Sequence, residues 1–270
     1  MNIYDEVAEF YENYHGKKCV YGKSAEGRDL FAMFTGEEGK IVGISQYAIH
    51  AREWITALIA LEHIRRETHC GVWILPLTNP DGALLATEGI DSVKSVWRRE
   101  MLSRINAEND FSLWKASADA VDLNVNFDAR WGTGRCNVSR PSAENYIGVR
   151  PFCVPESKAL RDFTLSVRPK FTLSWHTKGE EIYWRFHQPI FRKNRDRKLA
   201  ALLAAQCGYA LKETPYSAGG YKDWCVEKLK IPAFTIEAGS DLLSHPIGRE
   251  SLESLCGTVG DTLREFTKGF

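Results

Sequence analysis

The segment His50-Ala51-Arg52-Glu53-Trp54-Ile55-Thr56 places an imidazole and a carboxylate three residues apart, between the apolar run Lys40 to Ile44 and the apolar-periodic segment Trp54 to Ile64. That spacing lets both side chains grip one cation. An H-x-x-E pair alone is weak evidence, because ordinary solvated helix starts carry it by chance. Two further runs change its meaning: Phe171 to Trp175 ends in His176, and Ala233 to Ile236 ends in Glu237. Three strand-like segments therefore each deliver a metal-type or acid/base residue at the carboxyl end. In open α/β sheets the loops at that edge converge on a crevice, so residues distant in sequence meet there. His50, His176 and Glu53 make three protein ligands, the usual count for a catalytic zinc that keeps one position for water. Glu237 is then the spare carboxylate.

The elements that must position these groups follow from periodicity. Residues 2 to 15 carry Ile3, Val7, Phe10, Tyr11 and Tyr14 at helical spacing. Cys19 to Tyr21 and Asp29 to Phe34 read as a hairpin across Ser24-Ala25-Glu26-Gly27, and Lys40 to Ile44 as a short buried strand. Glu53 to Glu67 reads as a helix, and Gly71 to Leu77 as a strand closed by the turn signal Asn79-Pro80-Asp81-Gly82. From Ala83 to Arg140 the pattern loosens into irregular, function-bearing chain. Helices are then expected at Pro155 to Val167, Arg195 to Leu211, Asp223 to Lys230 and Gly248 to Phe266, with strands at Lys170 to Trp175, Ile182 to Phe186 and Ala233 to Ile236. This alternation implies a mainly parallel or mixed sheet covered by helices on both faces.

Composition narrows the class. At 270 residues the chain suits one large α/β domain, residues 1 to 270, and no linker marks a second. The 35 basic and 35 acidic residues balance, leaving no broad footprint for nucleic acid or an anionic membrane, so the expected partner is a peptide or a small amide substrate. Seven cysteines, odd in number and without C-x-x-C spacing, suit free thiols in a reducing compartment rather than zinc ligation. The start, Met1 to Val7, is acidic and amphipathic, and no segment is apolar for eighteen residues, so a cytoplasmic location is expected. The remaining histidines, His15, His63, His69, His187 and His245, have no carboxylate at ligand spacing and read as core or surface residues. Trp175, beside His176, is expected to wall the metal off from water.

Taken in order, the His50 to Thr56 motif, Asn79-Pro80-Asp81-Gly82, Asp122-Leu123-Asn124, Ser174-Trp175-His176 and Thr235-Ile236-Glu237 resemble the zinc metallocarboxypeptidases related to carboxypeptidase A. The resemblance runs from Tyr21 to the Glu237 strand. It implies a single domain with a mixed sheet of roughly eight strands between helices. It also implies one zinc ion per chain held by His50, Glu53 and His176, with Glu237 as general base and acid. The chemistry agrees without the family: zinc lowers the pKa of bound water to about 7 and polarises a carbonyl, while a nearby carboxylate moves the proton to the leaving amine.

Further roles rest on the resemblance. Tyr216, before Ser217-Ala218-Gly219-Gly220, is similar to the family's mobile tyrosine that closes over substrate, and Arg52 to its subsite arginine. Arg98, in Trp97-Arg98, and Lys115, in Trp114-Lys115, both stand as candidates to polarise the scissile carbonyl. In Asp122-Leu123-Asn124-Val125 the family has arginine where this chain has Val125, which has neither charge nor donor for a C-terminal carboxylate. Asn124 remains as a donor, and Arg130 or Arg135 is positioned in sequence to bind a differently placed anion. Trp114-Lys115-Ala116-Ser117 and Gly220-Tyr221-Lys222-Asp223-Trp224 resemble the bacterial branch that cleaves the γ-D-glutamyl to diamino-acid bond of cell-wall peptides. A general carboxypeptidase and a noncatalytic module keeping a zinc-like pocket are the alternatives.

Overall fold

The computed structural model describes residues 1–39 and 41–270. Eight strands form one sheet: β1 (Lys18–Lys23), β2 (Asp29–Thr35), β3 (Val42–Tyr47), β4 (Gly71–Leu75), β5 (Phe171–His176), β6 (Glu181–Tyr183), β7 (Ala210–Lys212) and β8 (Ala233–Glu237), in the order β1-β2-β4-β3-β5-β8-β6-β7. The central four, β4-β3-β5-β8, run parallel, while β2 joins β4 and β6 joins β8 antiparallel. Parallel strands need both faces covered. The helices α1 (Ile3–Asn13), α2 (Ile55–Arg65), α6 (Ile190–Cys207), α8 (Leu252–Val259) and α9 (Thr262–Thr267) pack one face through Val7, Leu58, Leu203, Leu255 and Phe266 against Met33, Val72, Leu173 and Ile236. On the other face, α5 (Pro155–Val167) and α7 (Tyr221–Trp224) pack Leu160 and Trp224 with Phe127 against Ala32, Ile44, Leu75 and Ala233. The expected mixed α/β sheet with helices on both faces is the observed fold.

Several boundaries differ from expectation, each for a local reason. The strand read from Lys40 begins at Val42; Lys40 itself lies outside the described residues. Asn79-Pro80-Asp81-Gly82 is a helix start rather than a turn: Asn79 Oδ1 accepts the Gly82 N–H at 3.0 Å, Pro80 fills the first turn, and α3 runs Pro80–Glu88. The loosely patterned region after it contains a further helix, α4 (Val96–Ile105). Helix α6 starts five residues earlier than read and stops at Gly208, whose φ of 76° is the left-handed cap that ends it, so Ala210–Lys212 is freed to pair as β7. The terminal helix is two, α8 and α9, separated at Gly260-Asp261. The strand read at Ile182 to Phe186 is confined to Glu181–Tyr183. All seven cysteines are free thiols. Among the described residues no helix is long and apolar enough to cross a membrane.

Candidate metal centre and substrate cleft

Strand β3 ends at Tyr47, and the chain turns through Ala48, with φ of 48°, toward His50. Two buried side chains hold that turn. Thr56 Oγ1 accepts the Ala48 N–H at 2.8 Å and donates to the Glu53 carbonyl at 2.9 Å, so the turn and the one-turn helix Ala51–Glu53 are clamped together. Asn79 donates from Nδ2 to the carbonyls of Ile49 and Ala116, both at 3.2 Å, and so ties the His50 loop to the segment carrying Lys115. The expected helix from Glu53 begins instead at Ile55, which leaves Glu53 in a tighter turn facing His50.

His176 is the last residue of β5 and stands in register with Glu237, the last residue of β8. The parallel pairing brings a third imidazole-or-carboxylate position beside the first two. His50 Nδ1 lies 2.9 Å from Glu53 Oε1, His176 Nδ1 lies 2.9 Å from Glu53 Oε2, and the two Nδ1 atoms are 3.0 Å apart. His50, Glu53 and His176 are all buried and form the one group of potential metal-ligating side chains found among the described residues. Three lone-pair donors this close repel unless a proton or cation sits among them. Ligand atoms about 2.0–2.1 Å from a tetrahedral zinc stand about 3.3 Å apart, so an outward shift of a few tenths of an ångström fits the donor set to the ion.

The surroundings set the charge. Burial opposes protonation of His50, but the Glu53 and Asp122 carboxylates outweigh it and raise its pKa. Burial likewise opposes ionisation of Glu53, yet His50 and His176 hold it well below the usual carboxylate range. The ligand set is thus an acid flanked by bases, with protons that a divalent ion displaces, so metal affinity falls as pH drops. Glu237 behaves oppositely: burial, reinforced by the Glu53 charge and opposed by His176 and Lys115, pushes its pKa up to about 7. A carboxyl poised there exchanges protons in both directions near neutrality.

Asp122, for which the sequence suggests no role, lies against this site. Fully buried, it faces His50 Nε2 at 3.4 Å from one oxygen and pairs with Lys115 Nζ at 3.0 Å from the other. The backbone N–H groups of Asn124 and Asn145 donate to it at 3.0 and 3.1 Å. A carboxylate on the far nitrogen of a ligating histidine fixes the ring and directs its lone pair at the metal. The signal was present in the Asp122-Leu123-Asn124 motif, but only the fold reveals that the aspartate faces His50.

The other predicted residues divide. Lys115, Asn124, Arg135 and Tyr216 line one cleft of roughly 490 Å³ together with Val125, Asn137 and Asn145. Tyr216 is 68% exposed at the rim, on a loop secured by Ser217 Oγ donating to Asp223 Oδ2 at 2.6 Å. Gly219, with φ of 79°, lets this loop meet the Val125 backbone, since a Cβ there would stand 2.6 Å from the Val125 carbonyl oxygen. Arg52 donates to the Leu113 carbonyl at 3.2 Å and pairs with Glu144 at 3.5 Å. Arg98 is not brought to the cleft: its guanidinium bridges Glu26 at 2.8 Å and Asp119 at 2.7 Å. Arg130 is paired with Glu227 at 3.2 Å, also away from the cleft lining. Trp175 points to the opposite face from His176, as successive strand residues must, and stacks on Tyr47 at 5.8 Å in the core. His63 is a core residue, bonded to the Tyr47 hydroxyl at 2.6 Å and the Val259 carbonyl at 2.9 Å.

These features define a class: an α/β protein whose sheet carries a two-histidine, one-glutamate metal site at its carboxyl edge. A family model described as zinc carboxypeptidase, Peptidase_M14, matches residues 3–243, and the chain belongs to that family. Over 220 residues it is 30% identical to the γ-D-glutamyl-L-diamino acid endopeptidase 1 of Lysinibacillus sphaericus, covering 74% of this chain and 55% of that protein. The chain therefore spans little more than half the length of that relative. Bovine thrombin-activatable fibrinolysis inhibitor, solved with a tick carboxypeptidase inhibitor, shares the fold at a TM-score of 0.80 and 19% identity, covering 100% of this chain and 96% of that one. Murein-tripeptide amidase MpaA from Escherichia coli O157 shares it at a TM-score of 0.65 and 21% identity, covering 95% of each chain.

Proposed function

We propose that this chain is a zinc-dependent amide hydrolase acting on carboxylate-bearing peptides of the γ-D-glutamyl-diamino-acid type. The observation that carries the hydrolase reading is the convergence of His50, Glu53, His176 and Glu237 at the carboxyl ends of β3, β5 and β8. Identity to the Lysinibacillus sphaericus endopeptidase supports the substrate class, and so does Val125, which deprives the cleft of a cation at that position.

His50, Glu53 and His176 would hold one zinc ion, with Asp122 orienting His50 through Nε2. When bound, zinc supplies Lewis acidity toward a carbonyl and toward water. Glu237 takes a proton as carboxylate and returns it to the leaving nitrogen as acid, and its burial, which favours the protonated form, helps it hold the proton between the two transfers. Lys115, raised in pKa because Asp122 and Glu53 outweigh the effect of burial, remains cationic in the cleft lining, beside the Asp122 that faces His50, and would steady negative charge on the substrate carbonyl oxygen. Tyr216, on the exposed rim, covers the bound peptide.

The test is zinc content together with hydrolysis of γ-D-glutamyl-diaminopimelate peptides. The expected result is zinc bound at one equivalent per chain and release of the diamino acid. Glu237→Gln should retain zinc while losing about 10²–10⁴-fold in kcat, the usual contribution of a general base. Absence of bound zinc, or no cleavage after zinc is restored, would remove the proposal.

A further inference from the structure

We propose that Arg135 selects the substrate by receiving one of its carboxylates in the cleft beside Val125; the inference deepens the hydrolase reading above and rests on it. Two cationic side chains line the cleft, Lys115 and Arg135. The charge of Lys115 is matched by Asp122 at 3.0 Å. Arg135 enters no ion pair among the described residues, and its guanidinium lies 5.7 Å from the Tyr216 ring centroid. The cleft's one carboxylate, Glu213, is itself paired with Arg185. The lining therefore carries a net positive charge that no group among the described residues neutralises.

Neutral donors complete the receptor. Asn124 Oδ1 accepts the Tyr221 N–H at 3.1 Å, which assigns its carbonyl end to the protein and leaves its NH₂ for the cleft it lines. Asn137 Nδ2 is buried without a hydrogen-bond partner and belongs to the same lining. A planar guanidinium with amide N–H groups beside it matches a carboxylate, and a buried unpaired amide favours an anionic acceptor. The Arg135 N–H also donates to the Tyr216 carbonyl at 3.3 Å, so an anion that settles Arg135 settles the loop bearing Tyr216. Because Arg135 and Val125 are separate positions of the cleft lining, the anion Arg135 binds need not be a chain-terminal carboxylate. Cleavage within a branched or side-chain-linked peptide becomes compatible with the cleft.

The experiment measures binding by calorimetry in zinc-loaded Glu237→Gln protein, so that no turnover is needed. The probes are γ-D-glutamyl-diaminopimelate and its analogue with every carboxylate converted to carboxamide. The carboxylate form should bind at least tenfold more tightly. Adding Arg135→Gln should abolish that preference while leaving carboxamide affinity within twofold, and Arg135→Lys should recover part of it. A preference that survives Arg135→Gln, the lack of any preference in the parent, or binding of neither probe would overturn the inference. Hydrolysis by the wild-type protein is scored separately, so loss of the enzymatic reading and loss of the Arg135 role give different results.

Discussion

Asp122→Asn separates the role of Asp122 at the metal centre from its role in stability. The carboxylate has no solvent exposure and serves four neighbours: the N–H groups of Asn124 and Asn145 at 3.0 and 3.1 Å, Lys115 at 3.0 Å and His50 Nε2 at 3.4 Å. An amide keeps one acceptor oxygen, so one backbone N–H loses its partner, and Lys115, whose side chain is 17% exposed, loses its counter-ion. Breaking a buried pair from one side costs about 3–5 kcal/mol, and the partial access of Lys115 to cleft water places this case near about 3. At roughly 2–4 °C per kcal/mol for chains somewhat shorter than this one, the zinc-free midpoint should fall by roughly 6–12 °C. A second loss appears only with metal: removing the carboxylate behind a ligating histidine weakens zinc about 10–100-fold, or about 1.4–2.7 kcal/mol. At a common buffered zinc concentration that saturates both proteins, the variant should gain that much less stability from zinc. Thermal unfolding with and without buffered zinc reads both quantities. Adding Lys115→Met should recover part of the zinc-free loss and none of the zinc-dependent one. An equal zinc increment in Asp122→Asn and wild type would refute the orienting role.

Two further perturbations test other parts of the structure. Glu156 is fully buried, and desolvation together with the Asp81 carboxylate raises its pKa to about 8. Its raised value means that stability is intact below the unfolded pKa near 4.5 and is lost as pH climbs toward 8; at pH 7 the loss is roughly 3 kcal/mol. Glu156→Gln, whose side-chain oxygen can still accept the Ala25 N–H, should match wild type in urea unfolding at pH 4.5 and exceed it at pH 7; equal midpoints at pH 7 would reject the buried-acid account. Val125→Arg places a cation at position 125 of the cleft lining, and kcat/KM for blocked dipeptides with a free C-terminal carboxylate should rise at least tenfold, the order expected for one charge-assisted pair. Unchanged kinetics would show that position 125 does not meet the substrate terminus.

The chemistry-bearing residues were legible in the sequence because His50, His176 and Glu237 each follow an apolar run, and a parallel sheet gathers the carboxyl ends of such runs at one edge. The sequence alone therefore places His50, Glu53, His176 and Glu237 together, and likewise implies the mixed sheet and its helices. Boundaries were legible only where the signal was local, as at Pro155 opening α5. They were missed where one tripeptide suits two states: Asn79-Pro80-Asp81 serves a turn or a helix cap equally, and Ala210–Lys212 repeats the alanine-leucine composition of α6 although Gly208 has already ended that helix.

The arginines mark what tertiary structure alone decided. Arg98 and Arg135 are equally basic in sequence, and a guanidinium's role depends on which carboxylate reaches it first. Arg98 meets Glu26, which is 72 residues away, and Asp119, whereas Arg135 meets the Tyr216 ring and no acid among the described residues. Asp122 and His50 are likewise 72 residues apart, so their contact is a property of how the loops fold over the sheet edge. The candidate metal ligands were readable because they follow the ends of regular strands; the partners that surround them were not, because long-range packing chooses them.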